Sequence, residues 1–130
     1  MTQINADERR YKELSGEILA SAFAVANELG CGFLEKIYEN ALFAELTLRN
    51  ISARQQVMHR VRYKGVLVGD YCADLIVADC VLVELKHVKD FEPVHMAQCL
   101  NYLRATGLKL CLLINYGKER LEWRRIVNGL

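Results

Sequence analysis

The sequence predicts an α/β fold: a mixed β-sheet with helices packed on it, in the order α-α-β-β-β-α-β-β. Three observations predict it. Two stretches with apolar residues at helical spacing come first; the apolar period then changes to two; and a later helical stretch leads into an almost wholly apolar run, as a crossover to a buried strand requires.

Each element has its own signal. From about Asp7 to Leu29 the residues Leu14, Ile18, Ala22, Val25 and Leu29 recur at helical spacing, and Gly30 and Gly32 stop the helix. A second helix is expected from about Phe33 to Arg49, with Leu34, Tyr38, Ala41, Leu42 and Leu46 along one side. After Asn50, Val57, His59, Val61 and Tyr63 alternate with Met58, Arg60 and Arg62, a strand with one wet face. Lys64-Gly65 is a turn, and a longer strand follows from about Val66 to Val77. Ala78-Asp79-Cys80 reads as a tight turn before a third strand, Val81 to Lys86. Pro93 suits the first turn of a helix, which Met96, Leu100 and Leu103 continue to Thr106 and Gly107 closes. Leu108 to Asn115 is the near-continuous apolar run, expected to be buried on both faces, and Leu121 to Val127 reads as a last strand.

The 130 residues fit a single domain, 1–130, and no low-complexity segment or linker interrupts them. With 52% hydrophobic and 25% charged residues the composition is that of a globular protein, and 17 basic against 16 acidic residues leave any basic surface local. Five scattered cysteines without a CxxC pair read as reduced core thiols. The opening MTQINADERRYKE has no apolar stretch and no run reaches the ~18 residues of a membrane span, so a cytoplasmic location without membrane contact is expected.

The run CADLIVADCVLVELK, residues 72 to 86, places three carboxylates and a lysine in an oily stretch, where charges are rarely left unpartnered. If the hairpin turns about Asp79, Asp74 lies opposite Glu84 with Cβ atoms roughly 5 Å apart; a two-residue turn would shift the pairing by one. Facing carboxylates repel, and the pair has three escapes: to share a proton, to bind a cation, or to lie in water. Lys86 can neutralise only one of them. A hard divalent ion suits the arrangement, since Mg²⁺ takes one or two carboxylates plus waters and substrate phosphates, and the Leu85 carbonyl is a further candidate ligand. The competing structural reading is an exposed edge with solvated charges, against which the apolar Val81-Leu82-Val83 argues.

Asp74 followed by Glu84-Leu85-Lys86 resembles the D-x(n)-ExK signature of the PD-(D/E)XK nuclease superfamily. Gly32-Phe33-Leu34-Glu35-Lys36-Ile37-Tyr38 matches G-x-x-E-x-x-Y, which resembles the GxxExxY family within it. The match continues through Ala41-Leu42, Glu45-Leu46, Tyr63-Lys64-Gly65, Gly69, Gln98, Tyr102-Leu103 and Leu113-Ile114-Asn115, spanning about residues 14 to 127. The resemblance implies a restriction-endonuclease-like core with its metal site on the second and third strands. It implies Asp74 and Glu84 as Mg²⁺ ligands (Mn²⁺ as substitute), Lys86 as the residue that orients or activates the attacking water, and Glu35 as an acidic residue completing the site. Gln98 and Tyr102 match the Q-x-x-x-Y pattern of recombination-type exonuclease domains. The implied activity is Mg²⁺-dependent hydrolysis of nucleic acid, DNA first; the alternative is a non-catalytic module binding nucleic acid or protein on the same fold. The small size leaves no room for a separate specificity domain, so sequence-specific cutting would need a homodimer or partner protein.

Spacing agrees where it speaks. Gln98 and Tyr102 are four apart, Glu35 and Tyr38 three apart, so each pair shares a helix face. Bland readings stand beside these: a helix-start carboxylate for Glu35, a solvated position for Gln98, and core packing with a satisfied hydroxyl for both tyrosines. His59, His87 and His95 lack the spacing of a zinc site, although His87, next to Lys86, is placed to meet a phosphate. Basic residues gather at Arg60/Arg62/Lys64, Lys86/His87/Lys89 and Lys118/Arg120/Arg124/Arg125, which suits either plain solvation or a phosphate backbone.

Overall fold

The computed structural model describes residues 6–130; the first five, part of the opening stretch read above, lie outside the described residues. The elements are α1 (Ala6–Leu29), α2 (Glu35–Leu48), β1 (Ala53–Tyr63), β2 (Val66–Val77), β3 (Val81–Lys86), α3 (Pro93–Thr106), β4 (Leu110–Asn115) and β5 (Glu122–Val127). The expected order holds. The strands form one sheet in the order β1-β2-β3-β4-β5, with β3 and β4 parallel and every other pair antiparallel. α3 makes the crossover that the parallel pair needs.

Helices cover both faces. Ile18, Ala22 and Val25 of α1 and Tyr38, Leu42 and Leu46 of α2 pack on Val81, Val83 and Leu85 of β3 and Leu110, Leu112 and Ile114 of β4. Cys99, Tyr102 and Leu103 of α3 pack on Leu82, Cys111 and Leu113 on the other face. Successive strand residues point to opposite faces. With Val83 and Leu85 under α1 and α2, Glu84 therefore falls on the α3 side. β4 is buried along its whole length, as its unbroken apolar run implied.

Local chemistry sets the boundaries. Lys64-Gly65 makes a two-residue turn with φ of 49° and 82°, between paired Tyr63 and Val66. Ala78 and Asp79 also carry positive φ, and Cys80 N–H donates to the Val77 carbonyl at 3.1 Å. That three-residue loop pairs Val77 with Val81, Ile76 with Leu82 and Leu75 with Val83, where the ladder ends; one residue further on, Glu84 follows Val83 and Asp74 precedes Leu75. At the start of α3, Glu92 and His95 cap each other: His95 Nδ1 accepts from Glu92 N–H at 2.9 Å. His95 is thus accounted for by a helix cap.

Three expectations need correction. α2 begins at Glu35 rather than Phe33, and Leu34, expected on its apolar side, is 78% exposed as the residue before the helix. β1 begins at Ala53, four residues earlier than the Val57 at which alternation becomes visible. β4 begins at Leu110, because Gly107 ends α3 at φ 79° and the chain needs two residues to re-enter the sheet.

Candidate active site

The centre of the site is a paired irregularity in β1 and β2. The ladder passes from Gln55–Leu75 to Val57–Ala73 without a Gln56–Asp74 pair, and Gln56 has φ 51°. A non-glycine residue held there is uncommon and costs conformational energy. The alternation of faces inverts across the step. Leu75 belongs to the core under α1 and α2, whereas Ala73 belongs to the core under α3. On the partner strand, Gln55 bonds to α2 while Val57 packs toward α3.

This irregularity frees Asp74 to use its side chain where a strand would use its backbone. Asp74 Oδ2 accepts the Leu85 N–H at 2.8 Å, and Oδ1 accepts from Gln56 Nε2 at 3.4 Å. Glu84, only 5% exposed, lies alongside within hydrogen-bonding reach of the Asp74 carboxyl. Among the described residues, Glu84 Oε1 is the one buried side-chain oxygen or nitrogen atom without a hydrogen-bond partner. Burial foremost, then the charge of Asp74 and the hydrogen bond to it, push the Glu84 carboxyl up to about 9. The nearby negative charge reaches two aromatics as well: Tyr71 and Tyr102 are both shifted upward, chiefly by burial and next by Glu84.

Behind Asp74 stands a residue that the sequence reading passed over. Glu39 of α2 is 4% exposed. Its Oε1 accepts from Gln56 Nε2 at 2.6 Å, and its Oε2 accepts from Gln55 Nε2 at 2.7 Å and pairs with Lys36 Nζ at 2.8 Å. Gln56 therefore ties Glu39 to Asp74, and its Oε1 accepts from the Cys72 thiol at 3.1 Å. The available signals were Glu39 four residues after Glu35 and the Gln-Gln pair inside a strand.

The other expected residues arrange themselves around this centre. Lys86 ends β3, half-buried, and its ammonium makes no hydrogen bond or ion pair among the described residues. Glu35 stands exposed at the first turn of α2; partial withdrawal of its carboxyl from water, then the charge of Asp74, shift it upward, while Lys86 and His87 oppose the shift. Tyr38 sets the approach to that turn. Its ring stacks on Tyr116 at 4.5 Å, and its hydroxyl donates to the Gly30 carbonyl at 2.6 Å and accepts from Phe33 N–H at 3.2 Å. Tyr38 is thus a core residue with a satisfied hydroxyl, whereas Glu35 faces solvent. Gln98, exposed, and Tyr102, buried, line one groove with His59 and Tyr71. Leu85 follows Glu84 on β3, with its N–H taken by Asp74.

The chain just beyond Lys86 is clamped. Buried Asn115 accepts from Val88 N–H at 3.0 Å and Gly117 N–H at 2.9 Å, and donates to the Val88 carbonyl at 2.8 Å. Gly117 sits so close that a Cβ there would lie 2.7 Å from the Val88 backbone. Of the basic clusters, Arg60, Arg62 and Lys64 are exposed on the β1–β2 hairpin. Lys118, by contrast, pairs with Asp90 and Glu122, and Arg124 lies over the Phe91 ring.

Among the described residues no group of three or more His, Cys, Asp or Glu side chains forms a protein-only metal cage. Two carboxylates with one unpartnered buried oxygen nevertheless fit a hard cation that keeps waters and substrate oxygens in its shell. No helix among the described residues is long and apolar enough to cross a membrane.

A five-stranded mixed sheet with carboxylates brought together on β2 and β3 defines a nuclease-type, restriction-endonuclease-like core. Residues 12–126 match the model of the PD-(D/E)XK nuclease superfamily, and the chain belongs to that superfamily. No curated protein matches it significantly in sequence. Among solved structures, it is similar to SSO0001 (TM-score 0.54, 20% identity, covering 93% of this chain and 61% of that one). It is also similar to the alkaline exonuclease LHK-Exo from Laribacter hongkongensis (TM-score 0.53, 16% identity, covering 99% of this chain and 73% of that one). The chain thus spans about three-fifths of the length of SSO0001. At these identities the likeness is one of fold.

Proposed function

We propose that this chain is a Mg²⁺-dependent nuclease, of the GxxExxY kind within its superfamily, that hydrolyses phosphodiester bonds of nucleic acid, DNA first. The observation that carries the reading is the buried Glu84 carboxyl with an unpartnered oxygen beside Asp74. Without metal a proton held between the two carboxyls offsets the repulsion; a cation that takes both ionised groups would replace it and use the unpartnered oxygen as well. Asp74 and Glu84 would hold the ion, with the Leu85 carbonyl and Glu35 as further ligands, direct or through water. When bound, a divalent ion polarises a phosphoryl oxygen and lowers the pKa of a coordinated water.

The protein's own groups do the rest. Asp74 is held in orientation by Leu85 N–H and Gln56, so its oxygens are in place before substrate arrives. Lys86, with no hydrogen-bonded or ion-pair partner among the described residues, would orient the attacking water and meet the scissile phosphate. As the water oxygen bonds to phosphorus it gives up a proton to surrounding solvent, the ester P–O bond breaks, and a solvent water protonates the departing oxygen. Gln98 and Tyr102 flank the approach on the α3 side.

The test is cleavage of single-stranded, duplex and branched DNA, and of RNA, in Mg²⁺ or Mn²⁺. The expected result is metal-dependent cutting that Glu84→Ala abolishes. Cutting that persists in Glu84→Ala, or in EDTA, overturns the reading. A non-catalytic binding module on the same fold would show binding without metal-dependent cleavage or stabilisation.

A further inference from the structure

A groove of about 260 Å³ opens between the β1–β2 hairpin and α3, and the charge of Glu84 reaches two of its lining residues, Tyr71 and Tyr102. Its walls are aromatic. The Tyr71 and Tyr102 rings lie 4.8 Å apart at 55°, and the His59 ring meets Tyr102 edge-on at 5.9 Å and 63°. Its rim is polar: Gln98 and Asn101 are exposed, and neither side-chain amide has a hydrogen-bond partner among the described residues. Tyr71 is three residues before Asp74 on the same strand, so the groove opens next to the place where a scissile phosphate would lie.

We propose that this groove receives a single unpaired nucleobase of the substrate strand, packed against the half-buried Tyr71 and His59 rings, which the buried Tyr102 backs, and read at its edge by Asn101 and Gln98. The volume lies just below the roughly 300–1,000 Å³ of drug-sized pockets, so it suits one planar ring system and excludes a base pair. Aromatic faces bind bases of any sequence, and side-chain amides offer both a donor and an acceptor to a base edge. A paired base inside a duplex presents neither its face nor its Watson–Crick edge. The site therefore selects strands with an unstacked base near the cut: single strands, frayed ends or junctions. This inference rests on the nuclease reading for the placement of the phosphate but makes a prediction about binding that needs no cleavage.

The experiment uses the whole chain in EDTA with a short single-stranded oligonucleotide carrying one 2-aminopurine, and the matching duplex. Single-strand binding should change the fluorescence of the probe. His59→Ala and Asn101→Ala should each weaken single-strand affinity, by roughly 10-fold for the loss of one ring, while duplex affinity stays unchanged. His59→Phe, which keeps a ring, should retain most of the affinity and guards against a folding defect in His59→Ala. Equal single-strand affinity in wild type and both alanine variants, or equal losses on single strand and duplex, overturns the proposal. If the wild-type chain cuts nucleic acid but these variants bind normally, the base site fails and the nuclease reading stands. If the variants lose binding while the wild-type chain never cuts, the reverse holds.

Discussion

Asp74 on β2 accepts the backbone N–H of Leu85 on β3 through its side chain, at 2.8 Å. One carboxylate oxygen thus takes over a backbone pairing role at the end of the β2–β3 ladder, and the same residue stays next to Glu84. On the proposed reading, structural and catalytic demands meet on this one group, and its substitutions should separate them.

Asp74→Asn keeps an oxygen acceptor for Leu85 N–H and removes a repelling charge, so the metal-free fold should melt at the same temperature or higher. Asp74→Ala leaves a buried N–H unpaired and should cost about 1–3 kcal/mol. In the wild type, Mg²⁺ or Mn²⁺ should raise stability by about 2.7 kcal/mol at a concentration 100 times its Kd. Both variants should lose most of that gain. Chemical denaturation with EDTA and with metal measures all three; an unchanged metal effect in Asp74→Ala would remove Asp74 from the ligand set.

The Glu84 carboxyl predicts a pH dependence of definite sign. Its ordinary value is 4.5 and the folded protein pushes it up to about 9. Between those values the native state holds a proton that the unfolded chain has released, so this group makes stability fall as pH rises through the window. Other groups titrate too, so the observable is the difference between wild type and Glu84→Gln. Without metal, the variant should gain on the wild type from about pH 5 to pH 9. A cation takes the ionised carboxyl, so metal binding should release a proton and tighten as pH rises toward 9. Calorimetry in two buffers of different ionisation enthalpy counts that proton; a count of zero at pH 7 would sink the assignment.

Much of this arrangement is legible in the residues themselves. The bounds of β2 and β3 coincide with expectation because turn signals flank them: Lys64-Gly65 on one side and Ala78-Asp79-Cys80 between. With that loop length known, the alternation of VLVELK puts Glu84 on the α3 side of β3, just past the end of the β2–β3 ladder and beside Asp74. The Gln56 conformation is not legible, because glutamine in a strand carries no turn signal and its φ of 51° is imposed by long-range bonds to Glu39 and Asp74. Glu39 escapes notice for the same reason. A carboxylate one turn along from Glu35 reads as solvated until β1 docks against α2 and buries it. Leu34 errs the other way: apolar character alone does not make a side chain face the core when the chain is still approaching its helix.

Gly117→Ala should destabilise the fold and impair the site together. The added methyl would lie 2.7 Å from both Val88 N and O, and backbone atoms cannot rotate away as a side-chain tip can. The expected cost is about 1–3 kcal/mol. Because Val88 is two residues past Lys86, the displaced strand end should also lower the cleavage rate in any chain that still folds. Melting and single-turnover cleavage at a temperature well below the transition separate the two effects.

The relay from Glu39 through Gln56 to Asp74 makes the last prediction. Gln56 is held in the left-handed region, which costs an ordinary residue about 1–2 kcal/mol but glycine almost nothing. Gln56→Gly and Gln56→Ala both delete the bonds to Glu39 and Asp74. They differ only in that alanine must also bear the backbone conformation, so the glycine variant should be the more stable by about 1 kcal/mol if the kink persists. Both should weaken metal binding, because Asp74 Oδ1 loses its orienting donor. Glu39→Gln places an amide N–H₂ where Lys36, Gln55 or Gln56 donates, and should weaken metal binding through the same relay. Since Glu39 and Gln56 act in series, the double variant should lose little more than either single one, giving a coupling of about 0.5–3 kcal/mol. Additive losses would mean that Glu39 only braces the hairpin and leaves Asp74 unaffected.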